Sequence, residues 1–263
     1  MGYDMDKAMS YVMQNGNIME TYMLEFLLEL GRDDKVPLEF FEKYQNKDGG
    51  FCFDLVEGRP SSMGTTMSLL RWYPLLDVTY TGSYKNCKNF VIEGQGPEGC
   101  WDESQLIKDL NPPEMLVPGV LATKLFLTGA ACDELLYNGI DEYAAKKGML
   151  YMERFRRGDG SFEGHPVTNW LMFSIYSQLG LQEKAEEVVP FLKPGREEDT
   201  KRIILYLDCI WRAKRQNVLA EELLDRLEES QGADGNWRTV DGKKYYTHVT
   251  VEAIRVLRTW GRE

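Results

Sequence analysis

The chain has 263 residues, 42 of them acidic and 31 basic, and a formal net charge of −11. That length is enough to bury a sizeable core, and that charge argues against nucleic acid or an anionic membrane surface as a partner. No Pro/Gly/Ser-rich linker or low-complexity stretch divides the sequence, which reads as a single domain over residues 1–263. The stretch from Met1 to Gly16 is acidic and lacks an apolar h-region, so no secretion signal is expected. No apolar run reaches the roughly 18 residues that a membrane-spanning helix needs. The cysteines Cys52, Cys87, Cys100, Cys132 and Cys209 are odd in number and form no CxxC pair. They read as reduced thiols in a cytoplasmic protein.

Apolar residues recur at helical spacing, and strand-type alternation is sparse. In chain order the periodicity predicts helices over Asp4–Met13, Met19–Leu30, Pro37–Tyr44, Gly64–Leu76, Ser83–Glu93 and Val117–Thr128. It continues with Gly139–Phe155, Thr168–Gly180, Gln182–Phe191, Thr200–Ala213, Val218–Ser230 and Tyr246–Thr259. The helices alternate in character. The first of each pair carries a polar stripe and should face water, whereas the second is apolar nearly all round and should be buried. Six outer and six inner helices make an all-α fold, an α6/α6 toroid.

Between the members of the predicted pairs one short pattern recurs. It reads Gln45-Asn46-Lys47-Asp48-Gly49-Gly50-Phe51, Gln95-Gly96-Pro97-Glu98-Gly99-Cys100-Trp101, Arg156-Arg157-Gly158-Asp159-Gly160-Ser161-Phe162 and Gln231-Gly232-Ala233-Asp234-Gly235-Asn236-Trp237. The copies lie 50, 61 and 75 residues apart, and the last gap leaves room for a degenerate fifth copy near Pro194-Gly195. Such self-similarity signals a repeat architecture. Acid-Gly makes a tight turn, the aromatic plugs it, and the leading Gln or Arg can bond backbone groups freed at helix ends. All the turns lead into inner helices. The N-termini of those helices therefore gather at one end, where their partial positive charge would favour an anion such as a diphosphate.

The pattern resembles the repeat of terpenoid cyclases and protein prenyltransferase β subunits, written Q-x-x-x-G-x-W in the squalene-hopene cyclases. The resemblance runs from about residue 18 to the C-terminus. It implies the α/α toroid and an isoprenoid-handling enzyme. In class II terpene cyclases an acid motif, DxDD-Thr, opens an inner helix. Arg196-Glu197-Glu198-Asp199-Thr200 falls at that place, with Arg for the first Asp and Glu for the central acid. The resemblance makes Glu198 the general acid, because crowded carboxylates raise one another's pKa. Asp199 would orient it, and His248 at the start of the last inner helix would reach the same site. The prenyltransferase branch implies a zinc site, but Lys201 stands where its thiolate belongs and Asp208-Cys209 are adjacent. The chain has two histidines, His165 and His248. No metal and no resident cofactor are expected, with magnesium entering only if the substrate is a diphosphate.

Aromatic residues are frequent on the inner helices, and a ring face attracts a carbocation. Trp72, Trp170, Tyr206, Trp211 and Tyr246 are the candidates for lining a cavity, and Arg202 for binding a charged head. The expected ligand is a small hydrophobic isoprenoid. One alternative is a non-catalytic toroid that binds a lipid or a protein partner. A second is an α6/α6 glycan-processing enzyme with two carboxylates, drawn from Glu20, Glu114 and Asp208.

Overall fold

The computed structural model describes residues 2–31, 33, 35–195, 199–215 and 218–262. Its helices are α1 (Met5–Asn15), α2 (Ile18–Leu27), α3 (Lys35–Tyr44), α4 (Met63–Leu70), α5 (Trp72–Leu75), α6 (Gly82–Glu93) and α7 (Leu121–Tyr137). They continue with α8 (Glu142–Glu153), α9 (Val167–Gln178), α10 (Gln182–Val188), α11 (Thr200–Arg212), α12 (Val218–Glu229) and α13 (Tyr246–Thr259). Among the described residues the one sheet is a two-residue ribbon, β1 (Phe51–Cys52) against β2 (Ser61–Ser62), with Phe51 opposite Ser62. Every helix predicted from the sequence is present.

The largest departure is α7, predicted to end at Thr128 and observed to run to Tyr137. Gly129 lets α9 approach closely, since a Cβ there would lie 2.9 Å from Leu171. Asp133 and Glu134 look like a helix end in a hydropathy pattern, yet both are buried. Asp133 accepts hydrogen bonds from Ser174 and Gln178 of α9, and Glu134 pairs with Arg71 at 2.9 Å. Pairing makes a buried charge tolerable.

The described residues group into two compact units, Met1–Pro37 with Lys193–Glu263, and Leu38–Leu192. In the second unit α4, α7 and α9 lie side by side, with α6, α8 and α10 packed one on each. Every residue of α9 from Val167 to Tyr176 is buried. In the first unit α11, α13 and α2 lie side by side; α12 packs on α11, and α1 packs on α2 and α13.

The repeated turns are built alike. The Gln45 amide donates to the Gly49 carbonyl of its own turn at 2.8 Å and to the Ser83 carbonyl of α6 at 3.0 Å. Gln95 does the same to Gly99 and to Ala144 of α8, both at 2.9 Å. Gln231 donates to Gly235 at 3.0 Å and to Asp4, which caps α1, at 2.9 Å. Arg156 reaches the Gly160 carbonyl at 3.3 Å and then ion-pairs with Glu187 of α10. Each turn thus hooks onto the following outer helix. At the degenerate fifth position the hook runs backwards: Arg226 of α12 donates to the Gly195 carbonyl at 2.6 Å.

The aromatic fixes the turn to the inner helix that follows. The backbone N–H groups of Phe51, Trp101 and Trp237 donate to the hydroxyls of Thr66, Thr128 and Thr250 at 2.9, 3.0 and 3.0 Å. The Phe162 N–H donates to the Asn169 side chain at 2.9 Å. Both tryptophans also donate their indole N–H to the outer helix they have just left, at Val91 and Leu227.

The turn glycines have φ of 89°, 101°, 95° and 89°, where a side chain is strained. A Cβ on Gly235 would also lie 2.4 Å from the Lys7 carbonyl, whereas one on Gly160 would meet nothing nearer than 3.5 Å. Gly160→Ala should therefore cost about 1–2 kcal/mol from backbone strain. Gly235→Ala should cost distinctly more, because α1 must move. Urea unfolding of the two variants checks this, and equal losses would contradict it.

Candidate functional site

The predicted acid run leads into α11, in the first unit. Arg196, Glu197 and Glu198 lie outside the described residues, so the site is built from what surrounds them. Asp199 is the N-cap of α11 and accepts from the Lys201 N–H at 3.0 Å. The Thr239 hydroxyl and the Val240 N–H also donate to its carboxylate, at 3.2 and 2.8 Å. The last two donors tie the start of α11 to the segment that leads into α13.

That segment is held a second time. Lys201 ion-pairs with Asp241, and its ammonium lies 5.1 Å from the centre of the Tyr245 ring. The Lys244 ammonium lies 4.6 Å from the same ring. Tyr245 is the N-cap residue of α13 and supplies no side-chain cap. Two cations therefore stand beside the start of α13, and cation–π attraction holds them there. Tyr246 and His248 occupy the first turn of α13, and both are half-buried. The start of α2 abuts the same turn, since a Cβ on Gly16 would lie 3.2 Å from the Thr247 methyl.

Other helix starts are capped by side chains. Asn17 and Glu20 form a capping box on α2, and Asp199 fills α11. Burial raises the Glu20 carboxyl pKa, and the Asn17 N–H bond offsets part of that rise. In the second unit Ser62 and the buried Glu103 cap α4. At α2, α4 and α11 a side chain of the protein thus already takes up the helix-end charge that would favour an anion. The side chain of Tyr245, the N-cap residue of α13, makes no such capping bond.

The remaining candidates separate. Arg202 is half-buried one turn into α11. Tyr206 has no exposed surface. Trp211 lies 12 residues beyond Asp199, about 18 Å along the helix, and packs edge-on against Trp260 at 5.3 Å. The structure therefore places Trp211 away from Asp199. Trp72 and Trp170 belong to the second unit and have no exposed surface. Among the carboxylates weighed for glycan chemistry, Asp208 is held by both terminal nitrogens of Arg255 at 3.0 and 2.8 Å. Glu252 shares that guanidinium. Burial opposes the Arg255 charge, but these two carboxylates outweigh it and raise its pKa. Glu114 sits on an exposed loop of the second unit. Of the three, Asp208 is committed to an ion pair with Arg255.

Sequence reasoning missed Thr239, Asp241, Tyr245 and Lys244. Their signal was present: a loop of polar and basic residues after Trp237, directly before an inner helix.

No family model matches the chain, and no curated protein matches it in sequence. Solved structures do match. The type II terpene cyclase MstE from Scytonema, in its apo form, is 12% identical with a TM-score of 0.61, over 98% of this chain and 98% of that one. A variant of MstE in complex with its substrate, geranylgeranyl dihydroxybenzoate, is 12% identical with a TM-score of 0.59, over 95% and 94%. A protein from Actinoplanes is 14% identical with a TM-score of 0.60, over 92% and 89%. At such identity the likeness shows the fold: the chain has the α/α toroid fold of the type II terpene cyclases. Among the described residues no helix is long and apolar enough to cross a membrane.

Replacing Asp199 by Ala removes the cap of α11 and the acceptor of the Thr239–Val240 segment. It should cost about 1–2 kcal/mol, whereas Asp199→Ser keeps a capping oxygen and should cost less. Chemical denaturation of both variants tests this; an Asp199→Ala protein as stable as the parent would contradict the tie.

Proposed function

We propose that this protein is an isoprenoid-handling enzyme of the type II terpene cyclase kind, working at the joined starts of α11 and α13. The observation that carries the reading is the fold match to MstE over nearly all of both chains. The anchored start of α11 adds to it, because a general acid must stand on a fixed support. Glu198 is the acid. It gives its proton to a terminal alkene, one C–H bond forms, and positive charge appears on the neighbouring carbon. The next double bond supplies its electron pair to that carbon and closes a ring. His248 takes the final proton as the last double bond forms. Tyr246 offers a partly exposed ring face to the cation, and Arg202, Lys201 and Lys244 favour a charged head at the start of α13. A diphosphate head would bring magnesium with it.

A non-catalytic toroid that binds a lipid or protein is the second reading. What favours it is the packing of Trp72, Trp170 and Tyr206, which leaves those rings no accessible face.

The test is incubation with linear isoprenoids, their diphosphates and prenylated aromatic acids, with products read by mass spectrometry. Cyclised or transferred product is expected. Glu198→Gln should abolish turnover and leave stability within about 1 kcal/mol. Activity that survives both Glu198→Gln and Asp199→Asn would refute the acid mechanism. Ligand binding with no product from any substrate would favour the second reading.

A further inference from the structure

The segment from Asp102 to Val120, in the second unit, precedes α7 and contains two short 3-10 turns, Gln105–Leu110 and Glu114–Leu116. Loops this long in a compact domain are commonly functional. Its ends meet. The Asp102 carboxylate accepts from the Gly119 N–H at 3.1 Å and lies 3.7 Å from the Lys124 ammonium. That closure makes the segment an Ω-loop.

Few residues hold the loop down. From residue 103 to 120, Glu103, Ile107 and Pro118 are buried and the rest are half or fully exposed. Leu106 is 73% exposed. The strongest attachment is Glu103. Its carboxylate accepts from the Ser62 hydroxyl at 2.8 Å and from the N–H groups of Met63 and Gly64 at 2.8 and 3.0 Å. It thereby supplies the acceptor for the start of α4, where the helix dipole favours negative charge. The Ser104 N–H adds a fourth bond at 2.8 Å. Beside this contact Leu116 lies over Gly64, where a Cβ would fall 2.6 Å from its methyl group. Asn111 and Gly119 have φ of 52° and 80°.

We infer that residues 103–118 form a lid over the starts of α4 and α7, latched by the Glu103 carboxylate. One buried charged side chain and the apolar contacts of Ile107, Leu116 and Pro118 hold a long segment of which three residues in sixteen are buried, the composition of a unit that opens without unfolding its neighbours. Opening moves the carboxylate into water and uncovers the Ser62 hydroxyl and the first N–H groups of α4. The inference does not depend on the ligand being an isoprenoid.

Hydrogen exchange followed by mass spectrometry on the full chain tests it. In the parent protein the amides of 104–118 should exchange well before those of α7 and α9. Glu103→Gln should speed their exchange on the order of ten-fold and leave α8 and α9 unchanged. Leu116→Ala, which keeps the charge, should give the same pattern more weakly. Protection of 104–118 equal to that of α7 in the parent protein would overturn the lid. So would unchanged exchange in both variants, or an equal acceleration across the whole unit.

Discussion

The structure depends on one small joint: a glycine turn whose leading side chain bonds the turn's own carbonyl and the next outer helix, and whose aromatic bonds the inner helix that follows. The leading Gln or Arg takes the turn's carbonyl and reaches the next outer helix. The aromatic N–H is received by a threonine or asparagine of the next inner helix. In the tryptophan copies the indole N–H binds back to the outer helix just left. In those copies a carbonyl in the last turn of the outer helix thereby gains a donor inside the protein. Burial of the aromatic makes the joint costly to open.

Neighbouring inner helices are joined again towards their C-terminal ends, by polar contacts in place of turns. Arg71 and Glu134 link α4 to α7, Asp133 links α7 to Ser174 and Gln178 of α9, and Arg255 links α13 to Asp208 of α11. Asp133, Glu134, Asp208 and Arg255 are buried, so removing a partner of any of them would leave a buried charge uncompensated. Their net stabilisation is small compared with the cost of breaking them. Their effect is on register, since only one rotation of each helix satisfies them. The two ends of the inner helices thus differ. The N-terminal ends carry turns, caps and the cations around Tyr245, whereas the C-terminal ends carry paired charges.

Much of this was legible in the sequence. The joint could be read because its residues are contiguous and each type has one mechanical use: Gly49, Gly99, Gly160 and Gly235 all take positive φ. The helix pairs could be read because burial imposes a period. The end of α7 could not, because Asp133 and Glu134 find their partners on α9 and α4, far away in sequence. The site was only partly legible. Asp199 stood out as an acid before a helix, but its bonds to Thr239 and Val240 cross some 40 residues. Whether an aromatic on a buried helix packs or faces a ligand is a matter of rotation by one or two positions. Trp72, Trp170 and Tyr206 turn inward to the core, while Tyr246 and Trp211 keep part of their surface, at opposite ends of their helices.

The claim at the centre of this account is that a ligand's polar head sits at the start of α13. Diffraction from crystals soaked with a linear isoprenoid diphosphate tests it most directly. The account predicts density for the diphosphate against the first turn of α13, beside Lys244, Tyr246 and His248. Density instead at the Asp208–Arg255 end of the same helices, or none at a ligand concentration that saturates binding in solution, would contradict it.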